Sequence, residues 1–424
     1  MSSGQAETWF QANDDSIDPY PVLREKVRTG VCIIGGGFTG LAAAIILRER
    51  GHDVVLLEQK NIGWGASGRS GGQVVRYPIR RKTLFLRRPW IPESIARHLA
   101  FRGHSLIENF MGRYAISCDL IHGCIEAALR PAHLRHCEEN YRILVEEGMG
   151  DHIRLVDQEG IREYLGTGAY MGGLINRRNS CLHPLKLCRG EAAAAESLGV
   201  KVYEHSAALQ VDPVRRLVRT ATGEVQADKI VLAGNAYYQP GRPPFGGHIF
   251  PANTWIMATS PLSREEANAI NPHRLGVIDM NRIVDYWRIT PDRRMLFGGR
   301  NNLTLFPPAG IGKALFRRMI RLFPSLQGKS IDFAWGGKVG VVPSGIPLIS
   351  RLHPDVVCAA GYTGHGISFA HAAGEIVADA LEGNTTVLEY FEKAHPPGGL
   401  PVPWFNKTVL TLGEIGFRLL DRLS

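Results

Sequence analysis

The pattern of apolar and polar positions is most regular in the first sixty residues. An apolar run, Val31–Ile34, leads into the glycine-rich turn Gly35–Gly40, an Ala-, Leu- and Ile-rich segment that reaches Arg50, and a second apolar run, Val54–Leu57. Short apolar runs bounded by turn residues are typical of buried strands, and the longer segment between them is typical of a helix. The pattern therefore predicts a strand, a turn, a helix and a second strand.

A second strand-to-helix turn with glycines is predicted close to the end of the chain. The apolar run Val356–Ala360 leads through Gly361–Gly366 into a helix over 367–381. Between the two turns, the apolar run Ile230–Leu232 breaks into the small residues Ala233–Gly234. Doubly wound sheets bind ligands at the carboxyl ends of such strands. We therefore expect these strand ends to border one ligand, with a helix N-terminus available from each glycine turn.

The pattern changes between about 241 and 330, where short apolar runs follow one another. Alternation and turn residues predict antiparallel strands at Trp255–Thr259, Val284–Thr290 and Met295–Gly298, a turn at Pro291–Arg293 and a helix over 312–323. Helical spacing of apolar residues also marks 93–113 and 133–148. We interpret this block as a lobe that binds the substrate.

Three glycines of the first turn, Gly35, Gly37 and Gly40, have the G-x-G-x-x-G spacing. In dinucleotide-binding folds these glycines allow a tight turn, close approach of the backbone to a pyrophosphate, and close packing of helix on strand. Glu58 ends the second strand, where an acid would bind ribose hydroxyls. The alternative is an ordinary βαβ turn with an exposed glutamate.

The loop that follows, Gly63–Gln73, consists mostly of small residues and contains a single cation, Arg69. Small residues let backbone N–H groups approach a ligand closely. Arg69 pairs with a phosphate in one interpretation and lies in solvent in the other, and the sequence leaves both open.

Net charge is +9 over 424 residues. Part of the excess is local, in Arg76, Arg80, Arg81, Lys82, Arg87 and Arg88. No motif for nucleic-acid binding accompanies this stretch, so we expect no nucleic-acid partner. The first interpretation of this basic stretch is a face exposed to solvent, and the second is a surface that steers an anionic substrate.

The chain has seven cysteines, an odd number without a C-x-x-C pair, and Cys32 lies in a predicted buried strand. This pattern predicts reduced thiols in a cytoplasmic protein, with neither a disulfide framework nor a metal site. Residues 1–28 lack a signal-peptide pattern and predict an extended surface arm. A helix with apolar residues over 409–423 would pack on its own lobe or on a sister subunit in a homo-oligomer; contact with a membrane surface is the lesser alternative.

Together these motifs resemble the FAD-dependent D-amino-acid-oxidase/sarcosine-oxidase superfamily, and within it the gamma-glutamylputrescine oxidase branch. The residues that carry the likeness are Gly35–Gly40, Glu58, Gly65–Gln73, Gly361–Gly366, Thr8–Phe10, Asp285–Arg288, Leu296–Arg300 and Trp335–Gly337. The branch usually has Asn where this chain has Ser70. Residues 336–352 contain no cysteine that would tether the flavin, so the resemblance implies noncovalent FAD.

The resemblance also implies an architecture. It is an α/β fold (α+β overall) of the glutathione-reductase-like two-domain type, in which a Rossmann-like FAD-binding domain is interleaved with an antiparallel-sheet substrate domain. The expected ranges are an arm over 1–28, the FAD-binding domain over 29–88, 149–240 and 331–385, the substrate domain over 89–148 and 241–330, and a tail over 386–424.

By the same resemblance, three groups of residues contact FAD. The ADP half would be held by Gly35, Gly37, Phe38, Thr39, Gly40, Glu58 and Gln59, with the backbone of Ala208 at the adenine. The pyrophosphate and flavin would be approached by Gly65, Ala66, Ser67, Arg69, Gly71, Gly72 and Gln73. The ribityl chain and the flavin N1–O2 edge would be covered by Gly361, Thr363, Gly364, Gly366 and Ile367.

The implied reaction is oxidation of an amine C–N bond by hydride transfer to flavin N5. The resulting imine is hydrolysed to an aldehyde or keto acid, and O2 or another acceptor reoxidises the flavin. Rival hypotheses are a sarcosine, glycine or other amino-acid oxidase or dehydrogenase, and a flavin-binding subunit that depends on a partner chain.

Four residues are catalytic candidates, each with a plainer alternative. Tyr286 positions substrate or belongs to the core. Arg288 binds a carboxylate or forms an ion pair with Asp285. Lys338 assists oxygen or lies in solvent, and His365 moves a proton or shapes the glycine turn.

Overall fold

The computed structural model describes residues 7–14, 18–76, 90–238, 248–281, 284–302, 310–342 and 344–395. The basic stretch beyond Arg76 and the predicted C-terminal helix over 409–423 lie outside these residues.

Helices and strands alternate along the described chain. The strands are β1 (Lys26–Ile34), β2 (Val54–Leu57), β3 (Gln73–Val74), β4 (Ile121–Ala128), β5 (Ile153–Asp157), β6 (Gly172–Cys181), β7 (Lys201–Tyr203), β8 (Gln210–Asp212), β9 (Leu217–Arg219), β10 (Glu224–Leu232), β11 (Phe250–Thr259), β12 (Gly276–Asp279), β13 (Tyr286–Ile289), β14 (Met295–Asn302), β15 (Ile331–Val341), β16 (Leu348–His353) and β17 (Val356–Ala360). The α-helices are α1 (Trp9–Ala12), α2 (Phe38–Glu49), α3 (Ala66–Arg69), α4 (Glu93–Arg113), α5 (Pro131–Glu146), α6 (Pro184–Ser197), α7 (Arg264–Ile270), α8 (Ile311–Leu322), α9 (Gly366–Leu381) and α10 (Thr386–Ala394).

The first sheet has eight strands, six of them in the order β16-β17-β10-β1-β2-β7, and β1, β2, β7, β10 and β17 run parallel. Val31 and Ile33 of β1 face the core that contains α2, whereas Cys32 and Ile34 face a second apolar layer. A strand covered on both faces is apolar at every position. The predicted strand, turn, helix and strand are confirmed, and β10 lies beside β1 as expected.

The second sheet has nine strands, eight of them in the order β15-β11-β14-β13-β12-β4-β6-β3, with β5 paired to β6. The predicted antiparallel strands are confirmed: Trp255–Thr259 and Met295–Gly298 are parts of β11 and β14, and Val284–Thr290 contains the shorter β13. This sheet also takes β5 and β6 from 149–240 and β15 from 331–385, ranges that the sequence assigned to the FAD-binding domain. Pairing between strands distant in the chain decides sheet membership, and local patterns do not encode it.

Residues 9–12 form a short helix with two buried aromatic side chains rather than part of an extended surface arm, so this prediction is wrong for these residues. Thr8 and Gln11 form a capping box in which each side chain accepts a hydrogen bond from the other residue's backbone N–H. Trp9 and Phe10 are buried, and Nε1 of Trp9 donates to Asp292 at 3.1 Å. Because most of the surrounding residues are polar, the sequence pattern did not predict this short amphipathic helix.

All seven cysteine side chains are buried and carry free thiols. Within the described ranges, no helix combines the length and apolar character needed to cross a membrane.

Candidate active site

The turn between β1 and α2 has the close contacts that its glycine spacing predicts. A Cβ on Gly35 would lie 2.8 Å from the carbonyl of Ala233, and Gly35 has φ of +121°. A Cβ on Gly40 would lie 2.0 Å from the carbonyl oxygen of Gly35. Gly37 is the N-cap of α2 and caps it with no side chain. The turn therefore leaves the end of β10 and the N-terminus of α2 side by side.

Glu58 lies at the end of β2 against this turn. Its carboxylate accepts hydrogen bonds from the backbone N–H of Gly36 at 2.8 Å and of Lys60 at 2.9 Å. Burial raises its pKa above the ordinary value. The acid is thus buried and partly engaged by backbone, not an exposed glutamate of an ordinary turn.

A cavity joins these elements. Its lining contains ten of the predicted cofactor residues: Gly35, Gly37, Glu58, Gln59, Gly65, Ala66, Ser67, Ala208, Ala233 and Gly234. The lining also includes aromatic and amide side chains that the sequence analysis missed, namely Trp64, Asn235, Tyr237 and Tyr238. Three of these four lie within six residues of the end of β10 at Leu232, so extending the predicted turn from Gly234 to Tyr238 would have included them.

Ser67 reaches from α3 to the N-terminus of α2, where its hydroxyl accepts a hydrogen bond from the N–H of Phe38 at 3.2 Å. A Cβ on Gly37 would lie 2.7 Å from the Ser67 oxygen. Gly37 therefore leaves space between the backbone N–H groups of α2 and the Ser67 hydroxyl. Such groups at a helix N-terminus are suited to bind a pyrophosphate.

Arg69 is buried rather than in solvent. Its Nε donates to the carbonyl of Gly336 at 2.9 Å, and its own carbonyl accepts from Nε1 of Trp335 at 2.9 Å. Burial lowers the pKa of its guanidinium. These bonds fasten the small-residue loop across β15.

Arg288 holds the next part of this loop. Its Nε donates to the carbonyl of Gly71 and its Nη2 to the carbonyl of Leu182, both at 2.9 Å. Asp285, the alternative partner from the sequence, accepts instead from Arg318 at 2.6 Å. Arg288 therefore forms neither the ion pair with Asp285 nor an open clamp, and it ties the loop to the end of β6.

Tyr286 lies on the same face of β13 as Arg288 and packs against the loop. A Cβ on Gly71 would be 2.6 Å from its ring, and a Cβ on Gly298 would be 2.3 Å from it. Burial raises the pKa of Tyr286 to about 12, so its hydroxyl stays protonated at neutral pH. The candidate is thus placed directly against the predicted flavin loop, whose last residue, Gln73, donates to the carbonyl of Val277 at 3.0 Å.

Lys338 and His365 are not brought into this arrangement. Both side chains are exposed. Gly337 faces Arg69, so the alternation of β15 directs Lys338 to the opposite face. His365 is the N-cap residue of α9 and has its Nδ1 3.3 Å from the carbonyl of Thr363.

The second glycine turn meets the first one. Tyr362 and Thr39 share a hydrogen bond of 2.6 Å between their hydroxyls. The N–H of Gly361 donates to Oδ1 of Asn235 at 3.0 Å, and the hydroxyl of Thr363 accepts from the N–H of Val342 at 3.2 Å. The turn that begins α9 is therefore bonded to α2 and to the end of β10, and the two turns form one cradle.

Comparison with known proteins identifies this cradle. The sequence profile of the DAO family, described as FAD dependent oxidoreductase, matches residues 30–380. The chain belongs to the DAO family. Its residues fit the family's cofactor, because the cavity joins the N-terminus of α2, the buried acid Glu58 and small-residue loops, which suit a pyrophosphate and a ribose.

DAO relatives cover almost the whole chain. Gamma-glutamylputrescine oxidoreductase of Escherichia coli is 32% identical over 425 residues, which are 98% of this chain and 98% of the relative. A probable oxidoreductase, OrdL, of Haemophilus influenzae is 32% identical over 91% of this chain and 88% of its own. The crystal structure of glycine oxidase from Geobacillus kaustophilus shares the fold, with a TM-score of 0.70 at 21% identity over 84% of this chain and 95% of that one. This DAO protein is an FAD-dependent enzyme of the type that oxidises amines or amino acids.

Proposed function

We propose that this enzyme oxidises the terminal amine of the putrescine part of gamma-glutamylputrescine, or of a closely similar amine, with O2 as the acceptor and hydrogen peroxide as a product. The observation that carries the proposal is the likeness to gamma-glutamylputrescine oxidoreductase, which runs over 98% of both chains. The free, buried thiols support a cytoplasmic location.

FAD supplies the hydride acceptor and the subsequent reaction with oxygen. In our proposal the N-terminus of α2, Ser67 and Glu58 hold its ADP half. The N-terminus of α9 provides positive potential at the opposite end of the cradle, where negative charge develops. The loop fastened by Arg69 and Arg288 lies between them.

Tyr286 is the residue that we assign to substrate positioning. Its ring lies against Gly71, and its protonated hydroxyl is a hydrogen-bond donor for an amine lone pair or a carbonyl oxygen. Tyr286 packs against apolar side chains that include Ile256, Leu296 and Trp335, and these limit the access of water to this part of the site. Hydrolysis of the imine that the oxidation forms gives an aldehyde and ammonia.

Steady-state turnover of the purified holoenzyme tests the substrate and the acceptor together. Peroxide and ammonia should appear in equal amounts with gamma-glutamylputrescine, and peroxide should appear more slowly with glycine, sarcosine and proline. Turnover only with an artificial acceptor would identify a dehydrogenase instead. A preference for glycine or sarcosine would instead identify the enzyme as an amino-acid oxidase.

A further inference from the structure

Two guanidinium groups lie over one aromatic ring at the edge of the second sheet. The Cζ atoms of Arg76 and Arg178 are 5.8 and 5.9 Å from the ring centroid of Phe101 in α4. Arg76 follows β3, Arg178 lies in β6, and these strands pair antiparallel with Val74 opposite Ser180. The two arginines therefore face each other across a strand pair.

The two arginines of this group differ in their partners. Arg76 donates from Nη2 to both carboxylate oxygens of Glu147, at 2.7 and 2.8 Å. Its Nε is buried and has no hydrogen-bond partner. Within the described part of the chain, the guanidinium of Arg178 has no carboxylate partner and donates no hydrogen bond. Arg76 is thus paired with Glu147 and also lies near the carboxylate of Glu126, whereas Arg178 has no carboxylate partner of its own among the described residues.

The backbone directs Arg178 to this position. The register between β4 and β6 shifts between His122 and Cys124, as in a β-bulge, and bulges redirect side chains near functional sites. The N–H of Arg178 donates to Oδ1 of Asn176 at 3.0 Å. The irregular segment is held by side-chain bonds instead of ladder bonds.

The arginine pair adjoins the candidate active site. Val74 immediately follows Gln73 of the flavin loop, and its carbonyl lies 3.2 Å from Nε2 of His104. The other ring nitrogen of His104 lies 2.9 Å from the hydroxyl of Ser368, in the first turn of α9. One buried histidine therefore connects the strand that leads to Arg76 with the helix whose N-terminus closes the FAD cradle.

We propose that Arg178, together with Nε of Arg76, binds a carboxylate group of the substrate at the end remote from the oxidised amine. A guanidinium stacked on a ring presents its planar fork to a carboxylate with little loss of side-chain freedom. The inference rests on the proposed function, since gamma-glutamylputrescine carries one such carboxylate.

The matched substrates are gamma-glutamylputrescine and its α-carboxamide, and the matched variants are Arg178→Gln and Arg177→Gln. Arg177 is the exposed neighbour of Arg178 in β6. Arg178→Gln should raise KM for the acid about tenfold or more, leave kcat nearly unchanged, and leave KM for the amide unchanged. Arg178→Lys should recover part of the loss, and Arg177→Gln should behave as the wild type.

The proposal would be overturned if Arg178→Gln changed KM equally for the acid and the amide, or did not change KM for the acid at all. Calorimetric titration of the holoenzyme with L-glutamine, and with its α-carboxamide, provides a second test that does not depend on turnover. Binding of L-glutamine that Arg178→Gln weakens about tenfold supports the site, even if no amine reduces the flavin and the proposed function fails. Equal binding by both proteins, or no binding by the wild type, counts against it.

Discussion

The hydroxyls of Tyr362 and Thr39 lie 2.6 Å apart and join two glycine turns that are more than three hundred residues apart in the chain. Both residues are buried. Because each turn begins a helix of the cradle, this hydrogen bond fixes the distance between the two helix N-termini.

The substitution Tyr362→Phe removes one of these two hydroxyls and should weaken FAD binding. A buried hydrogen bond contributes about 1 kcal/mol, so the FAD dissociation constant should rise about fivefold while the fold persists. Fluorescence titration of the apoprotein with FAD measures it. The control Tyr114→Phe removes a hydroxyl that contacts Glu49 at the surface, and it should leave FAD affinity unchanged. Equal affinity in both variants would show that the bond does not hold the cradle.

Arg288 should act on cofactor binding and not on substrate selectivity. Arg288→Met removes the donors to Gly71 and Leu182 but keeps most of the apolar volume, so FAD affinity should fall about tenfold or more. At saturating FAD, the ratio of KM values for gamma-glutamylputrescine and its α-carboxamide should remain that of the wild type. A selective rise in KM for the acid would instead identify Arg288 as a carboxylate clamp.

Asp285 should make stability depend on pH. Burial raises its pKa to about 7, despite the ion pair with Arg318. The folded state therefore binds a proton more tightly than the unfolded state, and stability falls as pH rises from about 4, the unfolded value, to about 7. Asp285→Asn should raise the free energy of unfolding by about 2 kcal/mol at pH 8 and change it little at pH 4.5.

Asp332 is the matched control for this carboxyl group. Its pKa is lowered by hydrogen bonding to Arg294, so its contribution to stability is present above the unfolded pKa and is lost as pH falls through the folded pKa. Asp332→Asn should therefore destabilise slightly at pH 8. Urea unfolding at the two pH values measures both variants, and the same sign for both would refute the assignment.

Phe10 should contribute to stability although it lies near the N-terminus. Its ring is fully buried, 5.6 Å from the ring of Trp335 and 4.9 Å from that of His183. Phe10→Ala should lower the free energy of unfolding by about 3 kcal/mol, as expected for a buried phenylalanine. The exposed neighbour Gln11 is a less suitable control because it caps α1, so Ala12→Gly at the exposed end serves instead. A loss below about 1 kcal/mol would mean that α1 is not anchored.

Local patterns predicted the β1–α2–β2 unit, Glu58 and the turn before α9, because each depends on residues close together in the chain. The roles of Arg288 and Arg69 did not follow from sequence, since their partners Gly71 and Gly336 lie 217 and 267 positions away. Tyr237 lies just past β10 and could have been included from the local pattern, but its hydrogen bond from the N–H of Lys338, 101 positions away, could not have been predicted. The helix at Trp9 was missed because its capping box was interpreted as part of a polar arm.

The most direct test of the account is anaerobic reduction of the bound flavin by an amine. The purified chain, alone and loaded with FAD, should lose its absorbance near 450 nm when gamma-glutamylputrescine is added without oxygen, and should recover it when oxygen is admitted. A flavin that stays oxidised with every amine in excess would contradict the claim that this chain is by itself an amine-oxidising enzyme.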